Sequence, residues 1–205
     1  MEWKTYYTEN FLYAVLFLIF IVKISYALKY QFIPENDEFF DDCSNQPNNV
    51  LNFYGVFNTS EFTISRQDDI IYMSGNTTYK WNIQPGDRIE MSFQLFKFDR
   101  IAWVQTLFGM TVRNMCALLY DEPQYWYKYW TKYITNKEDV KDKCMYPGTK
   151  LIHEPFSLNL IFDFTGLPLS GRHKVIATIK AFNAKNVERE TSICIEVEGH
   201  FERLN

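Results

Sequence analysis

Residues 84–98, QPGDRIEMSFQLFKF, are the run whose reading decides the fold. Gln84-Pro85-Gly86-Asp87 is a strong turn signal. After it, Ile89, Met91, Phe93 and Leu95 fall on one side of the chain, and Arg88, Glu90, Ser92 and Gln94 on the other. A period of two is the mark of a strand with one buried face. At Phe96 and Phe98 the apolar side switches, which predicts a bulge or a strand that changes sheets.

The same rhythm extends outward. Upstream, Tyr79, Trp81 and Ile83 alternate with polar partners, and residues 28–33, 50–57, 61–64 and 70–73 are further strand candidates. Downstream, Trp103 to Val112 supplies a strand or a pair of strands, broken near Gly109. Later faces are Phe156, Leu158, Leu160 and Phe162; then Val175, Ala177, Ile179 and Ala181; then Ile193, Ile195 and Val197, with Glu196 and Glu198 outward. About eight strands with regular turn signals predict a mainly β chain, a two-sheet β-sandwich or β-cup.

One stretch breaks the pattern. Between Cys116 and Cys144 the chain carries YWYKYW at residues 125–130. Trp126, Tyr129, Trp130 and Tyr133 fall at i, i+3, i+4 and i+7, which predicts a short aromatic helical insertion around residues 121–143, N-capped by Asp121. Such a stripe fits a helix closing one end of a core, or a lid over a cavity for an apolar ligand.

Residues 1–27 read as a signal peptide. Phe11 to Val22 is an unbroken apolar run of twelve, and Ser25 and Ala27 supply the small residues before a cleavage site. Residues 28–205 are then expected to form one β domain in a secreted, extracellular protein. A hydrophobic content of 47% with mean hydropathy −0.27 excludes both a membrane bundle and a disordered chain. Net charge −4 without a basic block argues against nucleic acid.

Four cysteines, Cys43, Cys116, Cys144 and Cys194, allow three disulfide pairings. The economical one joins Cys116 to Cys144, fastening the helical excursion, and Cys43 to Cys194, tying the N-terminal segment to the last strand. Asn58 and Asn76 head glycosylation sequons, expected on exposed turns.

The search for chemistry is nearly empty. No GxSxG, HExxH, GxGxxG or P-loop is present, and no CxxC spacing suggests zinc. His153-Glu154 reads as a structural or exposed pair, and His173 and His200 as surface residues. The expectation is no catalytic residue, no metal, no cofactor and no enzyme.

Several motifs carry a family resemblance. They are the run from Gln84 through Asp87-Arg88-Ile89-Glu90 to Phe98-Asp99-Arg100; Asn114-Met115-Cys116 through the aromatic helix to Asp142-Lys143-Cys144; and Pro147-Gly148-Thr149. Also among them are His153-Glu154-Pro155-Phe156, Phe164-Thr165-Gly166 with Gly171-Arg172, and Ser192-Ile193-Cys194 with Gly199. Together they resemble the insect CheB chemosensory proteins, within the wider DUF1091 group, over essentially the whole chain after residue 27. That group is in turn distantly similar to the GM2-activator protein and the MD-2-related lipid-recognition family.

The resemblance implies a β-cup with an apolar cavity, expression in taste sensilla, and a part in gustatory detection of cuticular-hydrocarbon pheromones, including in courtship. It also supports Cys43–Cys194 and Cys116–Cys144. This chain has fewer cysteines than the GM2-activator pattern, so the loops held by the other bridges do not carry over.

The expected function is therefore a non-enzymatic binding protein for a hydrophobic small molecule, a lipid or long-chain hydrocarbon. Phe96, Trp103, Phe108, Trp126, Tyr129 and Trp130 are the candidates for the cavity wall or mouth. A membrane receptor or channel is a further expected partner. The alternative is a secreted interaction module that binds a receptor, ion channel or enzyme through its surface, with Tyr125, Tyr127 and Trp130 as a contact patch.

Overall fold

The alternation of residues 88–95 becomes the second strand of a seven-stranded sheet in a computed structural model of the protein, which describes residues 13, 28–37, 39–44, 46–165 and 168–204. The expected leader, 1–27, lies outside the described residues apart from Tyr13. The strands are β1 (Leu28–Pro34), β2 (Val50–Leu51), β3 (Phe57–Gln67), β4 (Ile70–Tyr79), β5 (Arg88–Asp99), β6 (Ala102–Val112), β7 (Lys150–Leu158), β8 (Leu160–Phe164), β9 (Gly171–Phe182) and β10 (Ser192–Arg203). One sheet runs β6-β5-β9-β10-β1-β8, with β2 beside β10. The other is β3-β4-β7. The chain is mainly β, and one sheet is curled into a half-barrel.

Period-two alternation sets what each strand buries. On β5, Ile89, Met91 and Leu95 are buried, and on β9 Ile179 and Ala181 join them. The register Met91↔Ile179 and Ile89↔Ala181 places these residues side by side. Turns follow their residues. Gly86 takes φ +91°, and Asp87 caps the turn by accepting from the Gln84 N–H at 2.8 Å. Arg189 grips the same carboxylate twice and holds it below the usual range. Asp68, at φ +53°, makes the tight β3–β4 turn.

Three expectations need correction. Residues 50–57 do not form one strand. The Asn52 side chain accepts from the Gly55 N–H at 2.7 Å and starts a helical turn, α1 (Phe53–Val56), between β2 and β3. Residues 80–87 lie outside any strand, although Trp81 and Ile83 are almost fully buried. The aromatic insertion is helical but in pieces: α2 (Met115–Leu118), α3 (Tyr125–Tyr129), a 3-10 turn (Thr131–Tyr133), α4 (Lys137–Val140) and a second 3-10 turn (Lys141–Lys143). Gln124, not Asp121, precedes α3, and the helix stops where Trp130 takes φ −140°, ψ −69°. Helices this short gain little from their own hydrogen bonds, so side-chain docking decides where they break.

Two disulfides fasten the chain, Cys43–Cys194 and Cys116–Cys144. The first closes 151 residues and the second 28. In the chain-entropy model these contribute about 5 and about 3–4 kcal/mol.

Candidate functional site

The inner faces of the two sheets do not meet everywhere. Between them, beneath the helical insertion, lies a cavity of about 600 Å³. Its floor is Met91, Phe93 and Leu95 of β5, Val175, Ala177 and Ile179 of β9, and Ile193, Ile195, Val197 and Phe201 of β10. The roof is Trp126, Tyr129 and Trp130, with strand β8 contributing Leu160, Phe162 and Phe164. Phe40, Phe53 and Phe57 close one end. The mouth lies where lining residues reach solvent: Leu107 is 94% exposed, and Met110 and Tyr125 are 44% exposed.

No charged residue lines this cavity among the described residues. Several polar groups in its wall are engaged with the protein itself. Gln94 Nε2 reaches the carbonyls of Thr106 and Phe108, each at 3.0 Å. Gln124 Nε2 donates to Asp121 at 2.8 Å, Thr131 Oγ1 to the Leu119 carbonyl at 2.8 Å, and Trp126 Nε1 to the Leu118 carbonyl at 2.8 Å. The Tyr129 hydroxyl donates to the Ile161 carbonyl and accepts from its N–H. What faces the void is hydrocarbon and ring surface.

Trp130 anchors the roof. Its ring sits among Phe62 (5.8 Å between centroids), His153 (4.6 Å), Phe156 (6.1 Å) and Phe57 (6.2 Å). Tyr133 stacks on Phe156 at 4.2 Å. The helical stripe therefore points inward. Tyr125 is exposed at the mouth, while Tyr127 is half-buried.

Of the six candidate wall residues, Phe108, Trp126, Tyr129 and Trp130 line the cavity. Phe96 and Trp103 do not. The irregularity near Phe96 lies in β6, where Thr106, Leu107 and Phe108 stand opposite Leu95 alone. Strand β5 thus keeps its alternation, and Phe96 and Phe98 go to the outer face. There Lys174 Nζ lies 4.9 Å from the Trp103 ring and 6.0 Å from that of Phe96, and the Arg172 guanidinium 5.0 Å from that of Phe98. Lys174 pairs with Glu196 at 3.0 Å, and Arg172 bridges Glu35 (2.8 Å) and Glu198 (2.7 Å). Burial raises the pKa of Glu198, against the pull of Arg172. Lys174 and Glu196 are buried, so the outward Glu196 of the sequence is not a solvated one.

The histidines also move. His153 is buried, and burial pushes it down to about 4. His173, expected at the surface, is fully buried on the inner side of β9, with Nδ1 donating to the Gly171 carbonyl at 2.9 Å. Burial lowers its pKa too. His200 is half-exposed, 3.1 Å from Glu35. Both sequons lie within strands rather than turns. Asn58 on β3 is exposed, and Asn76 on β4 donates to Glu61 at 2.7 Å. Sequence reasoning missed Phe93, Val175, Ala177 and Val197 as wall residues. Their inward position in each alternating run was the available signal.

No family model matches the chain, and no curated protein matches it.

Proposed function

We propose that this protein is a secreted, non-enzymatic carrier that holds a lipid or long-chain hydrocarbon between its two sheets, in the manner of the CheB chemosensory proteins it resembles. The observation that carries the reading is the cavity of about 600 Å³, walled by apolar side chains from both sheets and from the aromatic helix. Its volume falls within the range of small-molecule sites, about 300–1,000 Å³. At about 24 cal/mol per Å³, keeping such a void dry and empty costs on the order of 10 kcal/mol, comparable with the whole stability of a domain. An apolar chain removes that cost and gains about 0.8 kcal/mol per buried methylene.

The inward stripe of Trp126, Tyr129 and Trp130 supports a carrier over a surface module, because the aromatic surface is spent on the cavity. Two disulfides fit an extracellular setting. The test is mass spectrometry of organic extracts from the secreted, oxidised protein, against a mock-purified control. A stoichiometric lipid or hydrocarbon is the expected result. A clean blank, with fluorescent lipid probes also failing to bind, would move the function to the protein surface and to a receptor, channel or enzyme partner.

A further inference from the structure

Against the hydrocarbon and rings of the cavity wall, one polar atom stands apart. Tyr79 ends β4 and lines the cavity where Phe53 and Phe57 close it, its ring 4.6 Å from that of Phe57. Its backbone is fixed on both sides. The Tyr79 N–H donates to the Thr149 carbonyl at 3.1 Å, and the Tyr79 carbonyl accepts from the Gly148 N–H at 2.8 Å. Its hydroxyl makes no hydrogen bond among the described residues, whereas those of Tyr129 and Thr131 are engaged. Tyr125 also lacks a partner, but it stands at the exposed mouth, where water serves it.

The Tyr79 oxygen faces the void. Four polar atoms among the described residues are sealed in protein without a partner, on Tyr30, Asp41, His153 and His173. The Tyr79 hydroxyl is not one of them, so it keeps open surface. Tyr79 is only 5% exposed, and burial, with Tyr120 adding to it, pushes its pKa well above the usual phenol value. That open surface therefore belongs to the cavity and not to bulk solvent. A hydroxyl buried without a partner costs free energy that a hydrogen bond would return. Water is a poor occupant, because a buried water needs about 2–4 polar partners. Phe53, Phe57, Met115 and Leu119, clustered with Tyr79 in the wall, supply none.

We propose that the cavity takes a neutral chain with one oxygen function near its end, a ketone, aldehyde, ester or alcohol, whose oxygen accepts from the Tyr79 hydroxyl. This narrows the carrier reading and rests on it. The hydrocarbon tail runs back towards the mouth, where Tyr125 packs on Phe162 beside the other core cluster. A plain hydrocarbon leaves the hydroxyl unsatisfied. An ionised carboxylate would be buried without a cation, because no charged residue lines the cavity among the described residues.

The test is competition by hexadecan-2-one, hexadecane and hexadecanoate for bound N-phenyl-1-naphthylamine, at mildly alkaline pH. It uses the secreted, oxidised full chain, as wild type and as Tyr79→Phe, which keeps the ring and removes only the oxygen. The wild type should bind the ketone about five- to tenfold tighter than the alkane, the worth of one neutral hydrogen bond. Tyr79→Phe should bring the two to equal affinity at an unchanged near-ultraviolet circular dichroism spectrum. The infrared carbonyl band of the bound ketone should lie at lower wavenumber in the wild type than in the variant. Equal binding of ketone and alkane by the wild type overturns the proposal whatever the variant does. That is the result if water holds the hydroxyl, and the carrier reading survives it. A ketone preference that persists in Tyr79→Phe also overturns it, as does hexadecanoate binding tightest of the three. If the wild type takes up neither the probe nor any chain, the carrier reading falls and this one with it.

Discussion

The two faces of the seven-stranded sheet bury side chains by opposite means. Lys174 and Val175 are neighbours in sequence, yet one lies in an ion-pair ladder and the other against a cavity. On the outer face, Phe96, Phe98 and Trp103 lie under Arg172 and Lys174, which pair in turn with Glu35, Glu196 and Glu198. The segment that reaches Cys43 runs beside β10, with Asp41 bridged to the Glu196 backbone. On the inner face no charge lines the void, and the buried His173, like His153 of the facing three-stranded sheet, is held towards the neutral form. Charge concentrates where its partners are complete. The unfilled space, and with it the candidate site, lies on the side without charge.

Breaking the outer ladder should have the largest effect. Lys174→Met leaves Glu196 buried without its cation and should cost about 3–5 kcal/mol in denaturant unfolding. The double variant Lys174→Met/Glu196→Leu should recover most of that loss. A single variant that unfolds like the wild type would mean that water reaches Glu196 and that the face is not truly buried.

Protonation of His153, on the facing three-stranded sheet, should cost less. His153 has a folded pKa of about 4 against 6.5 unfolded. The unfolded chain therefore takes up the proton first, and stability falls as pH drops from about 6.5 towards 4. The loss should be on the order of 3 kcal/mol. His153→Phe should flatten that part of the pH–stability curve. An unchanged slope in the variant would assign the acid sensitivity to other groups, with His173 the next to replace.

Filling the cavity should change stability least. Ala177→Leu adds methylenes to a wall that has open space beside it, and should shift unfolding by less than about 1 kcal/mol. It should nevertheless lower the uptake of a fluorescent lipid probe. A large destabilisation would mean that Ala177 packs against neighbours and not against a void.

The sequence was a good guide wherever side chains alternated against a continuous core. Residues 88–95, 175–181 and 193–197 were assigned to strands with the correct inward faces. It was a poor guide where a local signal competed with packing. Asn52 turned an apolar run into a helix, and the docking of Trp130 ended a helix that the apolar stripe extended to Tyr133. Of the candidate site, the four wall aromatics that face inward were visible as a stripe or as strand positions. The two that face outward were misplaced because a switch in apolar side does not say which of two paired strands carries the bulge.

By itself, then, the sequence determined the mainly β class, the helical insertion between Cys116 and Cys144, and which side of most strands is apolar. These follow from residue spacing, which acts locally. Tertiary structure alone decided that the sheets stand far enough apart to leave a cavity, that Lys174 and Glu196 are buried together, and that β6 lies at an edge of its sheet. Each of those depends on which distant segments come to lie beside one another, and no spacing along a single chain encodes the distance between two sheets.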